Sequence, residues 1–385
     1  MSPAAYRVSV ATAWPAEGLA GLGLRAPTVF QNDRWLGAWY AALGSQGGAT
    51  PLVVRAEREG GGTALVLPLV RRSGRPWPVV EFADAGVTDY NAPLLGPSAP
   101  STAAEAAVLW RAVRGALRRA APGAAVAHLV KMPLDLGGRP NPLALLGNTT
   151  PANVFGNVLT IGDDFAAWRR QGLTRHVRKE LERAWRVFAA HAPDAAFHRV
   201  TDPTEARSVY RDLAEMQRRR IAEAGLPYLL DRPAYDAFYR SLVEAGLDDG
   251  STMLTVLCAG GGTIAAMFGI ADGRSYAMLR IGDAGGAWRA ASPGRLLIEK
   301  TMAHLHGEGY RTFDFTIGDY AHKRRFNVDR VPLVDLTLTL NPLGLPRLGY
   351  DRLKAFVKAR PGLAAPTRTL IQAVRQAVRP AEPAT

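Results

Sequence analysis

The sequence predicts an α+β protein of two related halves, each an antiparallel meander with flanking helices. Three observations predict it. Glycine triplets at Gly60 to Gly62 and Gly260 to Gly262 each join two extended runs, 200 residues apart, and glycine supplies the positive φ of a tight hairpin. The same order follows each hairpin: a third extended run, a helix and a further strand, the mark of a duplication. No glycine fingerprint of a doubly wound nucleotide fold accompanies them. Since 385 residues exceed what one core usually holds, the expected units are a first half over 1–160, a second over 161–345 and a basic tail over 346–385.

In chain order, Asn32 or Asp33 can cap a helix over NDRWLGAWYAAL, whose Trp35, Leu36, Trp39, Tyr40 and Leu43 share one face. PLVVRAERE and TALVLPLV form the first hairpin, and WPVVEFADAG is a third extended run leading into the loop TDYNAPLLGPSAP. Ser101 or Thr102 can cap a helix over STAAEAAVLWRAVRGALRRA, before the buried strand AAVAHLVKM. A long basic helical stretch, Asp164 to Ala190, then leads to the second hairpin, TMLTVLCA with TIAAMFGI. SYAMLRIG adds a third strand, PGRLLIEKTMAHLHGEG a helix, and YRTFDFTIG a strand. Between Leu173 and Asp249, Pro193, Pro203, Pro227 and Pro233 break the helical pattern into several short pieces rather than one long arm.

Composition removes several classes of function. The opening MSPAAYRVSVATAWPAEG lacks the charged region and uninterrupted apolar stretch expected of a secretory leader, and no later segment offers the ~20 apolar residues that span a bilayer. The expected place is the cytoplasm. Cys258 is the single cysteine, so neither an intrachain disulfide nor a thiolate metal cluster can form, and the alternation around it suits a buried small hydrophobe. No metal is expected. A net charge of +13 favours anionic partners, but no zinc-finger spacing, aromatic RNA signature or basic zipper points to nucleic acid.

The densest chemical signal lies between Ser275 and Asn327. A helix starting near Pro293, with Ser292 as cap, leaves free amides at a positive dipole end; Gly294 permits close approach and Arg295 adds charge, which suits a pyrophosphate or an ordinary capped surface helix. In FDFTIGDYAHKRRF the aromatics Phe313 and Phe315 face one way and Asp314 the other, with Asp319, Tyr320 and Lys323 gathered just beyond. Asp319 also suits the cap of a short helix from Tyr320 to Phe326.

This last stretch resembles the C-terminal motif of the CelD-type GNAT-like acetyltransferases, a family linked to bacterial exopolysaccharide and cellulose biosynthesis and related to the Fem aminoacyltransferases. Asp314, Gly318, Asp319, Lys323, Arg324 and Phe326 hold the places of its FDF-x-x-GD-x-x-x-K-R-x-F ending. FQNDRWLGAWYAAL looks like the family's opening helix, VTDYNAPLL like its Asp-Tyr loop and TRHVRKELERAWR like its basic segment between halves. The resemblance spans roughly residues 28 to 340 and implies tandem GNAT-like halves, the second binding the donor.

It also implies transfer of an acyl group from acetyl-CoA or another acyl-CoA to an amine or hydroxyl, with a sugar or polysaccharide precursor as acceptor. The donor cradle falls to Ser292, Gly294 and Arg295, and the amide that polarises the thioester to the strand around Leu279 and Arg280. Asp314 or Asp319 is the expected proton acceptor, with Tyr320 and Lys323 orienting acceptor or donor. Asp89, Tyr90, Arg175, Arg178, Lys179 and Arg324 are the expected acceptor contacts. One departure stands out: the loop WRAASPG lacks the Gln/Arg-x-x-Gly-x-Gly/Ala spacing of ordinary GNAT enzymes.

Two other functions fit the same residues. One is Fem-like aminoacyl transfer; the other is a non-catalytic regulator that binds a nucleotide or docks on a membrane, using the basic segment and the triplet Arg218 to Arg220. Residues 347–379 carry eight Lys or Arg against one Asp. Leu348, Leu353, Phe356 and Val357 line one side of a first helix, and Leu370, Ile371, Val374 and Val378 one side of a second. Such a pair suits an anionic membrane surface at the inner face, or packing against the second half.

Overall fold

A computed structural model of the chain describes residues 6–74 and 77–358. The first half comprises β1 (Tyr6–Ala11), α1 (Gly18–Gly21), α2 (Asp33–Ala42), β2 (Thr50–Arg58), β3 (Gly62–Arg72), β4 (Val79–Phe82), β5 (Leu94–Leu95), α3 (Ala103–Ala120), β6 (Val126–Pro133) and β7 (Thr150–Thr160). The second comprises α4 (Phe165–Gly172), α5 (Arg175–His191), β8 (Ala196–Val200), α6 (Pro203–Glu223), α7 (Pro233–Gly246), β9 (Thr252–Ala259), β10 (Gly262–Asp272), β11 (Ser275–Asp283), α8 (Pro293–Gly307), β12 (Thr312–Asp314), α9 (Ala321–Arg324), β13 (Asp329–Thr339) and α10 (Leu345–Lys358).

Both glycine triplets turn hairpins, β2 with β3 and β9 with β10. Gly260 and Gly261 both take positive φ, 60° and 71°, the conformation that matches the twist of the flanking strands. Each half then carries a parallel strand–helix–strand crossover, β4–α3–β6 and β11–α8–β12. The caps are local chemistry. Asn32 accepts from Trp35 N at 2.8 Å at the start of α2, while Asp33 serves elsewhere, accepting from Leu19 N. Thr102 accepts from Glu105 N at 3.3 Å and Glu105 Oε2 from Ser101 N at 3.1 Å, a reciprocal capping box.

The strands form one sheet in the order β1-β2-β3-β4-β6-β13-β7-β12-β11-β10-β9-β8, with β5 beside β3. The halves exchange strands: β13 pairs with β6, and β7 pairs with β12. Alternate residues of each strand feed opposite faces. On one face α3 covers the first half, with Leu109, Val113 and Leu117 against Leu52, Val54 and Leu67. There α5 and α8 cover the second, around Phe188, Leu297 and Phe313. The other face is shared. Trp35 of α2 meets Phe238 of α7 edge-on at 4.9 Å, inside one core that takes residues from both halves.

Several expectations need correction. The basic stretch is two helices, α4 and α5, parted at Leu173 and Thr174, where Thr174 caps the second by accepting from Val177 N at 3.3 Å. The strand expected over YRTFDFTIG pairs only at Thr312–Asp314. Between Leu173 and Asp249 the prolines do separate the elements, but α6 runs 21 residues and β8 intervenes. No helix among the described residues is long and apolar enough to cross a membrane. α10 accounts for the first tail helix as far as Lys358, and the second, with Leu370, Ile371, Val374 and Val378, lies outside the described residues.

Where β10 meets β11 the register slips: Phe268 faces Arg280 but Gly269 faces Met278, so Leu279 is an extra residue held outside the ladder. Gly269 makes the slip possible, because a Cβ there would fall on the buried Tyr276 ring and within 2.5 Å of the Ala277 carbonyl oxygen. Gly269→Ala should therefore cost about 2 to 3 kcal/mol in urea unfolding, as overpacking of a closed core does. An unchanged midpoint would show that the bulge can relax around a methyl group.

Candidate functional site

β11 and β12 run side by side only through Ser275↔Thr312, Tyr276↔Phe313 and Ala277↔Asp314. β11 continues to Asp283, whereas the chain after Asp314 turns away at Thr316, φ 59°, and Gly318, φ 106°. The strands splay, and α6 roofs the gap. The result is a cavity of about 590 Å³ lined by Leu279, Thr316, Tyr320 and Lys323, by Gln217 and Arg220 of α6, and by Asp89 from the first half.

Asp89 and Lys323 line it, and Asp314 lies just behind. Phe313 and Phe315 are buried in the core under α8, which turns Asp314 the other way, as the alternation predicts. Its Oδ1 accepts from Tyr90 Oη at 2.9 Å and from Thr316 N at 2.6 Å. Burial raises the Asp314 pKa to about 7, against the pull of those two bonds. Burial also raises Asp89 to about 6, with Lys131, a bond to Thr316 and Lys323 pulling it down. Lys323 Nζ donates to Ile317 O at 2.6 Å and to Thr316 O at 3.4 Å. Burial lowers its pKa to about 8, while Asp89 and Asp314 hold it up. Asp314 borders a separate cavity of about 230 Å³ with Tyr90 and Ala277, so of these two buried acids it is Asp89 that lines the large one, whose rim also carries Glu223 and Asp283.

The start of α8 differs from the expected cap. Ser292 lies in the left-handed region, φ 45° and ψ 55°, and its side chain caps nothing. Its Oγ instead accepts from Arg295 at 2.8 Å. Arg295 is itself paired with Glu180 at 3.2 Å, a carboxylate that also holds Arg325. Counted from Arg289, the loop does keep the family frame, as Arg289-x-x-Ser292-x-Gly294. Ser292 stands at the first glycine place and takes a conformation natural to glycine. At Gly294 a Cβ would lie 3.0 Å from Asp283 Oδ2, so the approach is narrow. Arg220 and Arg289 border both the large cavity and a smaller one of about 240 Å³ at this helix start. Both are exposed. Among the described residues neither makes an ion pair.

The remaining expected site residues fall into two groups. Leu279 and Tyr320 join the cavity, with the Tyr320 ring 5.2 Å from Lys323 Nζ. Arg280 points instead into the shared core, where it donates to Gln217 and, at 2.8 Å, to Tyr228 Oη, 4.8 Å over the Tyr239 ring. Asp319 is exposed and ion-paired with Arg324 at 2.6 Å, outside the cavity lining. Arg178 is tied to backbone carbonyls closing α4, Leu173 O among them at 2.6 Å. Arg175 and Lys179 are exposed on α5. Cys258 is half-buried beside His198 Nδ1 at 3.6 Å, with its thiol pKa raised by burial. No group of side chains that could hold a metal ion occurs among the described residues. Sequence reasoning missed Thr316 and Gln217, since a threonine and a glutamine carry no pattern of their own.

Residues 175–324 match the acetyltransferase (GNAT) domain family. No curated protein matches the chain. The crystal structure of FemX superposes with a TM-score of 0.56 at 11% identity, covering 84% of this chain and 94% of that one. A conserved protein of unknown function from Bacteroides thetaiotaomicron VPI-5482 gives 0.51 at 9% identity, covering 87% and 100%. A tandem GNAT protein from the clavulanic acid biosynthesis pathway gives 0.45 at 13% identity, covering 88% and 99%. At these identities the likeness is one of fold. The chain is thus an α+β protein whose residues 175–324 match an acetyltransferase (GNAT) domain, which supports an N-acyltransferase.

Proposed function

We propose that the chain transfers an acyl group from acyl-CoA, held at β11 and α8, to an amine or hydroxyl entering the cavity between the halves. The observation that carries this reading is the splayed β11–β12 pair, with its bulge at Leu279, opening beside the uncapped start of α8. The bulge leaves backbone outside the ladder, free to polarise a thioester carbonyl. Arg220 and Arg289 are the cations left to meet the donor phosphates, Arg295 being engaged by Glu180. Asp89 takes the acceptor's proton as nitrogen or oxygen bonds the acyl carbon and the carbon–sulfur bond breaks. Lys323, cationic below about 8, offsets the charge that develops.

The acceptor we propose is a sugar or polysaccharide precursor. Its support is the resemblance of FDFTIGDYAHKRRF to the CelD-type motif. Aminoacyl transfer is the second reading, favoured by the fold shared with FemX. Against it, α6 packs on β10 and β11 rather than projecting as an arm.

Three outcomes test the assignment. With acetyl-CoA and a panel of amino sugars, Asp89→Asn should lose ~10²-fold or more in turnover with an unchanged melting curve. In wild type, kcat/KM should fall below pH about 6 as Asp89 protonates. Wild-type turnover by the amide variant removes Asp89 as the base.

Calorimetric titration with CoA should show Arg220→Ala and Arg289→Ala binding about 5- to 10-fold more weakly, as the loss of one charge-assisted contact does. Arg295→Ala should bind nearly as wild type. The reverse order would restore the cradle to Arg295.

Asp314 tests a different property. Its folded pKa, about 7, lies above the ordinary 3.8, so the neutral carboxyl favours the fold below the lower value and that contribution is lost as pH rises through the upper one. Asp314→Asn stays neutral, so Tm should fall less steeply between about pH 5 and about pH 8 than in wild type. Parallel Tm curves would mean that Asp314 ionises in the fold without cost.

A further inference from the structure

The two halves use the same gap between strands in opposite ways. In the second half the gap beyond Ala277 and Asp314 is the cavity. In the first, β4 and β6 run parallel only through Val79↔Val126 and Val80↔Ala127, and the chain's own loop, residues 83–91, bonds across to β6. Lys131 of β6 grips it. Its Nζ lies 2.8 Å from Asp84 Oδ2 and donates to the Thr88 carbonyl. Asn91 N donates to Lys131 O at 3.1 Å, and Asn91 Nδ2 to Asp84 Oδ2 at 2.8 Å and Val130 O at 3.0 Å. Lys131 itself takes φ 58°, sparsely populated for any residue with a Cβ, with its N–H held by Asp335 Oδ1 of β13 at 2.9 Å. The start of α3, which corresponds to the start of α8, is already closed by the Thr102–Glu105 capping box.

Asp89 sits between two anchors. On one side Lys131 holds the Thr88 carbonyl. On the other, Gln31 Nε2 donates to Tyr90 O at 2.7 Å, and Tyr90 Oη donates to Asp314 at 2.9 Å. We propose that the Asp84–Lys131 pair is a positioning device for Asp89: it fills the first half's own donor gap and sets the place and charge of the carboxylate that this half delivers to the second half's cavity. The proposal rests on Asp89 being the proton acceptor there.

The ionisable groups that face Asp89 have opposed effects. Lys131 and Lys323 draw its pKa down, and Asp84 pushes it up. Asp314, Tyr90 and Tyr239 also face it, and each has its own pKa raised by Asp89. Removing the charge of Lys131 must therefore shift Asp89 one way, and removing that of Asp84 the other.

Carbon-13 NMR on full-length protein labelled at the aspartate carboxyls reads this directly, with the Asp89 resonance identified by its loss in Asp89→Asn. The midpoint should start near about 6, rise by about one pH unit in Lys131→Met, and fall in Asp84→Asn. Lys131→Gln, which can still donate to the Thr88 carbonyl, should rise as well and serves if methionine is not tolerated. A clamp that is merely structural would loosen in each variant and let water reach Asp89, lowering every midpoint. That result overturns the proposal, as does an unchanged midpoint in the lysine variants or a wild-type midpoint near about 4, the value of a solvated aspartate. The titration uses neither donor nor acceptor. Absence of acyl transfer with these shifts intact would overturn the function and leave the clamp standing.

Discussion

Strand β13 lies between β6 and β7, and the rest of the molecule depends on that exchange. It pairs with β7 from Asp329↔Val158 to Asp335↔Thr150 and with β6 from Leu333↔Pro133 to Thr339↔Val126. Neither half can leave the other without opening ladders whose amides would then need water. The shared core adds Trp35 against Phe238, both fully buried. With the halves locked, the loop after β4 meets the end of β12, and a tyrosine reaches an aspartate 224 residues away.

That junction also explains why the site holds groups that titrate near neutrality. Burial raises two carboxyls and lowers one amine, so Asp89, Asp314 and Lys323 come to about 6, 7 and 8. Proton transfer near neutral pH works best with groups in this range. Asp89 of the first half and Lys323 of the second line the same cavity, and Asp314 stands behind them, bonded to Tyr90. Several cations near the site are held in pairs, Arg295 with Glu180, Arg324 with Asp319 and Arg218 with Asp231. Arg220 and Arg289, which make no ion pair among the described residues, border both the large cavity and the one at the start of α8, where the net charge alone points nowhere.

Much of this was legible in the sequence. The hairpins at Gly60 and Gly260 announced themselves by alternation and glycine, and the helix faces of α2 and α3 by spacing and caps. Phe313 and Phe315 placed Asp314 on the opposite face from the aromatic core, as found. The strand exchange was not legible, because β7 and β13 meet partners chosen by the whole fold rather than by any local pattern. Asp319 read as well as Asp314 for a base, since exposure and the Arg324 ion pair are tertiary facts. The turn at Ser292 was not legible, because a serine in a left-handed conformation leaves no mark in the sequence.

The central claim is that one donor site, in the second half, is completed by an acid from the first. A crystal structure of the full-length protein with CoA tests it most directly. The account predicts one CoA per chain, with its pyrophosphate at the start of α8 beside Arg220 and Arg289, its pantetheine arm along Leu279, and its thiol pointing into the cavity that Asp89 lines. CoA bound between β4 and β6 of the first half, or with its thiol turned away from Asp89, would contradict it.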